Sequence, residues 1–164
     1  MSESTQVLAE RGVADAQFSI GVNFASGLGV TQDFAQAAIW YLKAAEQSHP
    51  LAQFNLGLMY ALGQGLPCDP AKSLMWIQKA ANLGDAGAQF NLGQRHQRSS
   101  LHGPATEISA ERIVAYKWFR LAADQGYAGS EAACETMNLK MSREDVIEGR
   151  RSVAVFNAAK VLTA

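Results

Sequence analysis

One short sequence returns at a fixed interval, and this repetition constrains the fold more than any other feature of the 164-residue chain. The tripeptide Ala-Gln-Phe occurs at residues 16–18, 52–54 and 88–90, with a spacing of 36 residues each time. The second and third copies share six consecutive residues, Ala-Gln-Phe-Asn-Leu-Gly. Self-similarity at a period of about 20–50 residues is typical of proteins that stack one supersecondary unit many times. The chain is therefore predicted to fold as an array of stacked repeats.

Each copy has the pattern of two α-helices joined by a glycine-containing turn. In the second copy, Ala52, Leu56 and Tyr60 recur every four residues and form one apolar helix face. The Gly-Gln-Gly sequence that follows ends this helix, because glycine adopts the positive φ of a helix C-terminus. Asp69 and the proline after it are typical of the start of a second helix. Such a hairpin cannot cover its own apolar faces, so neighbouring hairpins must pack on one another.

The third copy contains an insertion. Trp118 follows Trp76 by 42 residues, whereas Trp76 follows Trp40 by 36. We expect the six additional residues to form a longer surface loop, because repeat arrays carry insertions in loops. The predicted single domain, residues 1–164, comprises units at about 13–48, 49–84 and 85–126, a partial unit at 127–140 and a capping helix at about 143–160.

The two ends of the sequence differ from the copies between them. Residues 7–12 match the end of a second helix, so the array is expected to start in mid-unit. Near the other end, a Ser-x-x-Asp sequence that begins at Ser142 predicts the start of the last helix. We expect Val146, Val153 and Val155 on its inner side and charged residues on its outer side. A terminal helix of this kind would cap the array and keep it soluble.

Composition and charge exclude several classes of protein. Apolar residues make up 48% of the chain and charged residues 18%, which excludes an intrinsically disordered protein. The net charge of −1 argues against a general nucleic-acid binder, since such a protein needs a basic surface. No stretch reaches the roughly 18 apolar residues of a membrane-spanning helix.

The cysteines and the N-terminus favour a reducing compartment. Cys68 and Cys134 lie outside any Cys-x-x-Cys pattern and are predicted to be free thiols. The first residues lack the basic segment and apolar run of a signal peptide. We therefore expect a cytoplasmic protein; a periplasmic or secreted location is the alternative if a signal peptide precedes this sequence.

The combined motif resembles the Sel1-like repeat. Its elements are Ala-x-Phe-x-Leu-Gly-x-x-Tyr, then Gly-x-Gly, Asp, Trp and Ala-Ala, and the resemblance covers about residues 7–138. In the third copy His96 replaces the tyrosine and the Gly-x-Gly pair is missing. The family is a relative of the tetratricopeptide repeat, so the resemblance implies an all-α fold, a right-handed α/α superhelix (solenoid) of about 36-residue helix-turn-helix repeats.

The resemblance also implies a function. Members of this family act as scaffolds or adaptors that bind proteins along a concave surface lined by the first helices, and many of them are bacterial. We therefore predict a non-enzymatic, monomeric protein that binds a peptide or protein partner and needs no cofactor. Two alternatives remain open. One is a penicillin-binding or β-lactamase-like hydrolase, as reported for cysteine-rich relatives whose paired cysteines this chain lacks; the other is a regulatory part of a longer repeat protein.

A helical wheel of the first helices separates the core face from a second stripe of residues. If this stripe lines the concave surface, the groove changes from small and polar, through apolar, to basic. A peptide with an apolar anchor and an acidic end would fit it. The alternative is a solvated face, with its apolar residues packed on a neighbouring unit. The predicted partner-binding residues are Ser19, Asn23, Asn55, Met59, Leu62, Asn91, Arg95 and Arg98.

Three other kinds of residue recur in register and are interpreted as structural. The glutamines are predicted to hydrogen-bond an adjacent turn, the glycines to allow close helix contact, and the tryptophans to anchor the core. In the order of the copies they are Gln17, Gln53 and Gln89, Gly21, Gly57 and Gly93, and Trp40, Trp76 and Trp118.

No catalytic, cofactor-binding or metal-binding residues are predicted. His96 and His102 are six residues apart, which does not suit paired ligands on one helix face. Ser100, His102 and Glu107 resemble a hydrolase triad in composition, but the Gly-x-Ser-x-Gly turn of such enzymes is missing. We therefore interpret His96 as a buried residue with a structural hydrogen bond.

Overall fold

The computed structural model describes residues 4–163, and this part of the chain consists of nine α-helices and their connections, without a β-strand. The helices are α1 Thr5–Glu10, α2 Ala14–Ser26, α3 Phe34–Glu46, α4 Pro50–Leu62, α5 Pro70–Leu83, α6 Ala86–Ser99, α7 Ala105–Ala123, α8 Ser130–Asn138 and α9 Arg143–Thr163.

The helix boundaries follow from capping residues at repeated positions. The Asp69 carboxylate accepts hydrogen bonds from the first backbone N–H groups of α5, at 3.0 and 3.1 Å, and Asp33 caps α3 in the same way. Helices α2 and α4 end at Gly27 and Gly63, whose φ angles are 73° and 66°. The Asp-Pro start and the glycine end predicted for the second copy are confirmed.

The six additional residues of the third copy are helical. Helix α7 has 19 residues, against 13 in α3 and 14 in α5, and residues 100–104 connect it to α6. The expectation of a longer loop is therefore wrong. Residues 105–111 contain neither glycine nor proline, and Glu107 interacts favourably with the dipole in the first helical turn.

The chain divides between residues 85 and 86 into two compact units. In the first unit, α2 packs against α3, α3 against α4, α4 against α5, and α1 against α2. In the second unit, α7 is the central helix, because α6, α8 and α9 all pack against it. The cores are rich in alanine and aromatic residues; they include Tyr41, Leu56 and Trp76 in the first unit and Tyr116 and Phe119 in the second.

Glycines allow the two helices of each hairpin to come close together. A Cβ atom on Gly21 would lie 2.6 Å from the ring of Tyr41, and one on Gly93 would lie 2.5 Å from the ring of Phe119. On Gly57 it would meet a side chain of α5 at 2.7 Å. The prediction that these glycines serve close helix contact is confirmed.

The tryptophans differ in how well they are buried. Trp76 and Trp118 are 8% and 4% exposed, as expected of core anchors, whereas Trp40 is half-buried. Each indole ring has a lysine ammonium over it, at 4.0–4.3 Å from the ring centroid.

One of the residues expected on the inner side of the last helix lies outside. Val153 is 9% exposed and Val146 is half-buried, but Val155 is 62% exposed. Residues three, four and seven positions apart share a helix face, so the inner face contains Gly149 and Phe156 with Val153. The prediction for Val155 is wrong because residues two positions apart, such as Val153 and Val155, lie on opposite sides of a helix.

Candidate functional site

Three of the predicted partner-binding residues line one pocket in the first compact unit. Asn55, Met59 and Leu62, all from α4, contribute to a pocket of about 240 Å³ that Ala25 and Tyr41 also line. The Leu62 side chain is 67% exposed, whereas Met59 is 5% exposed and belongs to the core. Met59 therefore offers little surface to a partner, and Leu62 is the accessible apolar residue.

Two polar side chains of this pocket, those of Asn55 and Tyr41, interact with each other. The Asn55 side chain hydrogen-bonds the phenol of Tyr41, which is 4% exposed. Burial raises the pKa of Tyr41, and the hydrogen bond from Asn55 offsets part of that rise. The phenol is thus neutral at physiological pH, and the pocket combines apolar side chains with the polar groups of Asn55 and Tyr41.

The residues predicted on α2 lie apart from this pocket's lining. The Ser19 hydroxyl donates to the backbone carbonyl of Asp15 at 2.8 Å, and Ser19 is exposed. Asn23 is half-buried. The residue of α2 that lines the pocket is Ala25.

The three remaining predicted residues lie on α6 in the second compact unit. Arg95 and Arg98 are exposed, and Asn91 is half-buried. Within residues 4–163, no carboxylate lies within 4.0 Å of the Arg95 or Arg98 guanidinium groups. This stretch of α6 therefore presents two positive charges to solvent.

The residues that resembled a hydrolase triad do not assemble into one. The Ser100 hydroxyl is buried and donates to the backbone carbonyl of Gln97 at 2.7 Å. His102 is exposed, whereas His96 lies 2.7 Å from a carboxylate oxygen of Glu111. The predicted structural hydrogen bond of His96 is confirmed, but the residue is half-buried, not buried as expected.

The described part of the chain has neither a cluster of potential metal ligands nor a membrane-spanning helix. Between residues 4 and 163, no group of three or more His, Cys, Asp or Glu side chains is placed to hold a metal ion. The helices of the same range include none that is long and apolar enough to cross a membrane.

The glutamines of the repeat bind backbone at the end of the preceding helix. The Gln17 Nε2 donates to the carbonyl of Ala9 at 3.2 Å, and the Gln53 Nε2 donates to the carbonyl of Ala45 at 3.0 Å. Both glutamines are buried. Their predicted structural role is confirmed.

A second set of glutamines was missed at the level of sequence. The Gln47 Nε2 donates to Gln17 Oε1 at 2.7 Å, and the Gln125 Nε2 donates to Gln89 Oε1 at 2.9 Å. The same nitrogens also reach carbonyls of their own helices, four residues back. The signal was present, because Gln47 and Gln125 occupy the same repeat position, where the second copy has Leu83.

Comparison with known proteins identifies the family. A family model for the Sel1 repeat matches residues 14–49, 50–85 and 86–127. The chain belongs to the Sel1 repeat family. Sel1 repeat proteins are generally protein-interaction scaffolds. None of the curated proteins compared with the chain matches it.

Two solved structures resemble this Sel1 repeat protein closely. One is a protective antigen of uropathogenic Escherichia coli strains that displays an SLR fold, with a TM-score of 0.72 and 31% identity. The match covers 92% of this chain, which spans about a third of the antigen (32%). The other is a Sel1 repeat protein from Oxalobacter formigenes, with a TM-score of 0.68 and 32% identity over 80% of this chain and 95% of that one. The predicted fold class, an all-α solenoid repeat, is confirmed.

Proposed function

We propose that this Sel1 repeat protein is a non-enzymatic scaffold that binds a peptide or protein segment through the first helices of its hairpins. The observation that carries the proposal is the α4 pocket, where the exposed Leu62 lies beside the paired polar groups of Asn55 and Tyr41.

The size of the α4 pocket favours a side chain as its occupant. At about 240 Å³, the α4 pocket has room for one apolar side chain of a partner. Full burial of a leucine or phenylalanine side chain contributes about 1.5–3 kcal/mol, so the pocket would supply an anchor rather than the whole affinity.

The positive charges of α6 favour an acidic partner. Arg95 and Arg98 are exposed and have no ion pair with residues 4–163. Arginine binds carboxylates with two parallel hydrogen bonds, and exposed charges of this kind mainly accelerate association. We therefore propose that the exposed arginines of α6 bind acidic segments of a partner.

Selection from a library of random displayed peptides would test this function. The full chain should enrich two kinds of peptide, those with a large apolar residue and those with acidic residues. Leu62→Ser should lose the peptides with a large apolar residue, whereas Leu139→Ser, which changes an 89% exposed leucine, should keep them.

A charge-reversal pair tests the α6 surface separately. Arg95→Glu with Arg98→Glu should weaken binding of the acidic peptides, most strongly at low salt. Arg143→Glu with Arg150→Glu makes the same charge change at exposed positions of α9 and should leave binding intact. If no peptide is enriched, or if both pairs behave alike, the proposed binding surface is wrong.

A further inference from the structure

A second pocket of the first compact unit is lined by a residue whose buried hydrogen-bond acceptor has no partner among residues 4–163. This pocket of about 460 Å³ is formed where α3 and α5 end and α4 begins. Its lining includes Glu46, Gln53, Lys79 and Leu83. We call it the amide pocket.

The acceptor is the side-chain oxygen of Gln53. The Gln53 Nε2 must be the donor to the Ala45 carbonyl, at 3.0 Å, and this bond fixes which way the amide points. Gln53 is 3% exposed, and its Oε1 has no hydrogen-bond partner within residues 4–163. A buried acceptor without a donor destabilises the fold, and such atoms are rare in native proteins.

The other two copies show which group is missing. Gln47 Nε2 donates one N–H to Gln17 Oε1 and reaches the Lys43 carbonyl at 3.4 Å. Gln125 Nε2 likewise donates to its partner glutamine and to the carbonyl of Leu121, at 2.9 and 3.2 Å. In both copies, therefore, one primary amide satisfies one glutamine oxygen and one helix carbonyl.

The second copy has the acceptors, but no amide stands at the position of Gln47 and Gln125. Leu83 occupies the position of Gln47 and Gln125, and its side chain cannot donate a hydrogen bond. The carbonyl that corresponds to those of Lys43 and Leu121 belongs to Lys79, which lines the amide pocket.

We propose that the amide pocket binds the side-chain amide of a glutamine carried by a protein partner. One N–H of that amide donates to Gln53 Oε1 and the other to the Lys79 carbonyl, as Gln47 and Gln125 do in their own copies. A primary amide has the two donors that this pair of acceptors requires. An ammonium or guanidinium group is a poorer occupant, because removing a charge from water to meet a neutral acceptor costs more than removing an amide.

The charges around the pocket agree with a neutral ligand. The Lys79 ammonium lies over the Trp76 ring, 4.3 Å from its centroid, and the acidic residue Glu46 lines the same pocket. The two charges are opposite, so together they select neither an anion nor a cation.

Leu83 lines the amide pocket together with Gln53. Leu83 is the last residue of α5 and is 42% exposed. Its side chain can therefore change rotamer toward solvent without opening the core, and the incoming amide takes the place it leaves.

A second departure from the repeat lies at the same pocket. Ser48 also lines it and has a φ of 65°, although its repeat position is a glycine in the other copies, at Gly12, Gly84 and Gly126. Non-glycine residues in this conformation are concentrated at binding and catalytic sites.

Titration with propionamide tests the chemistry of the pocket. The full chain, isotope-labelled, is observed by NMR at the side-chain amide of Gln53 and the indole of Trp76. Propionamide should give saturable shifts of both signals, and N,N-dimethylpropionamide, which has no N–H, should give none. The signals of Gln17, whose oxygen already has a donor, should not move.

Two variants make the test specific. Leu83→Gln supplies the missing amide from within the chain, so it should abolish the shifts while raising the midpoint of urea unfolding. Gln47→Leu removes the donor from the first hairpin, so a second set of shifts should arise at Gln17. Equal shifts with both probes, no shifts with either, or shifts that persist in Leu83→Gln would overturn the proposal.

Blocked tripeptides then test the partner's side chain. Acetyl-Gly-Gln-Gly-N-methylamide should bind at least tenfold more tightly than the corresponding Glu and Met peptides. Equal binding of the three peptides would overturn the choice of glutamine. The inference rests on the proposed scaffold function in one respect, that the amide belongs to a protein partner. Leu83→Gln leaves the α4 pocket unchanged, so the outcome of peptide selection at that pocket is independent of the outcome at the amide pocket.

Discussion

Replacing Gly93 by alanine should destabilise the protein, although alanine is the better helix former. Gly93 lies on α6 where it faces α7, and a Cβ atom there would lie 2.5, 2.6 and 2.9 Å from three ring carbons of Phe119. Ordinary contact begins at 3.4 Å, so the ring would have to retreat by about 0.9 Å. Phe119 is 0% exposed, and Phe90 packs against it at 5.4 Å between ring centroids, so the ring has little room to move.

The magnitude follows from two opposing effects. Alanine gains about 1 kcal/mol over glycine in a helix interior. Overpacking a well-packed core costs about 1–3 kcal/mol, and a fully enclosed ring places this site near the upper limit. We therefore expect a net loss of about 1–2 kcal/mol, which lowers the melting temperature by about 2–8 °C in a chain of this size.

Urea unfolding followed by circular dichroism measures this loss, and a double-mutant cycle identifies its cause. Phe119→Leu removes the ring that the new methyl group meets. The double variant should therefore be more stable than the sum of the single changes predicts, by about 1 kcal/mol. A Gly93→Ala protein as stable as the original would refute close contact as the reason for this glycine.

Three further results are expected. Gln125→Leu leaves a buried glutamine oxygen without its donor and should lower the free energy of unfolding by about 1–3 kcal/mol in urea titrations; an unchanged midpoint would contradict the role of this amide. The Ser109 hydroxyl donates to Asp145 Oδ1 at 2.6 Å and lowers the pKa of that carboxyl below 3.8. The resulting stabilisation of the fold is fully present above pH 3.8 and is lost as the pH falls through the lowered pKa. Ser109→Ala should therefore destabilise the protein at neutral pH and lose this effect in acid, as urea midpoints across that range would show. Burial raises the pKa of Cys134 to about 11, so a thiol reagent at mildly alkaline pH should modify the exposed Cys68 rapidly and Cys134 only after unfolding.

The repeat made the fold predictable because the same helix caps and close helix contacts recur in successive copies. Asp69 recurs at the position of Asp33, and Gly57 at that of Gly21, so a cap or a close contact inferred once applies at each copy. The insertion was predicted less well, since period alone does not say whether added residues continue a helix or leave it. The helix propensity of residues 105–111 favours a longer α7.

The candidate site was only partly predictable from a helical wheel. A wheel treats a helix as having one buried face, but α4 packs against both α3 and α5. Met59 is therefore buried, although it shares a stripe with the exposed Leu62. The oxygen of Gln53 could not be recognised as unpaired, because the contact between Gln47 and Gln17 joins residues 30 positions apart. The single domain, the monomeric state and the cytoplasmic location stay predictions.

The additional length of α7 affects how this protein could be enlarged by grafting. Ser109 and Glu111, both in the added segment, bond Asp145 of α9 and His96 of α6. Trimming the third hairpin to the common 36-residue length would remove both attachments, and splicing a new copy between α7 and α9 would separate Ser109 from Asp145. Consensus copies should therefore be inserted before residue 86, where the period is regular. The last hairpin and α9 then stay together, with both attachments intact.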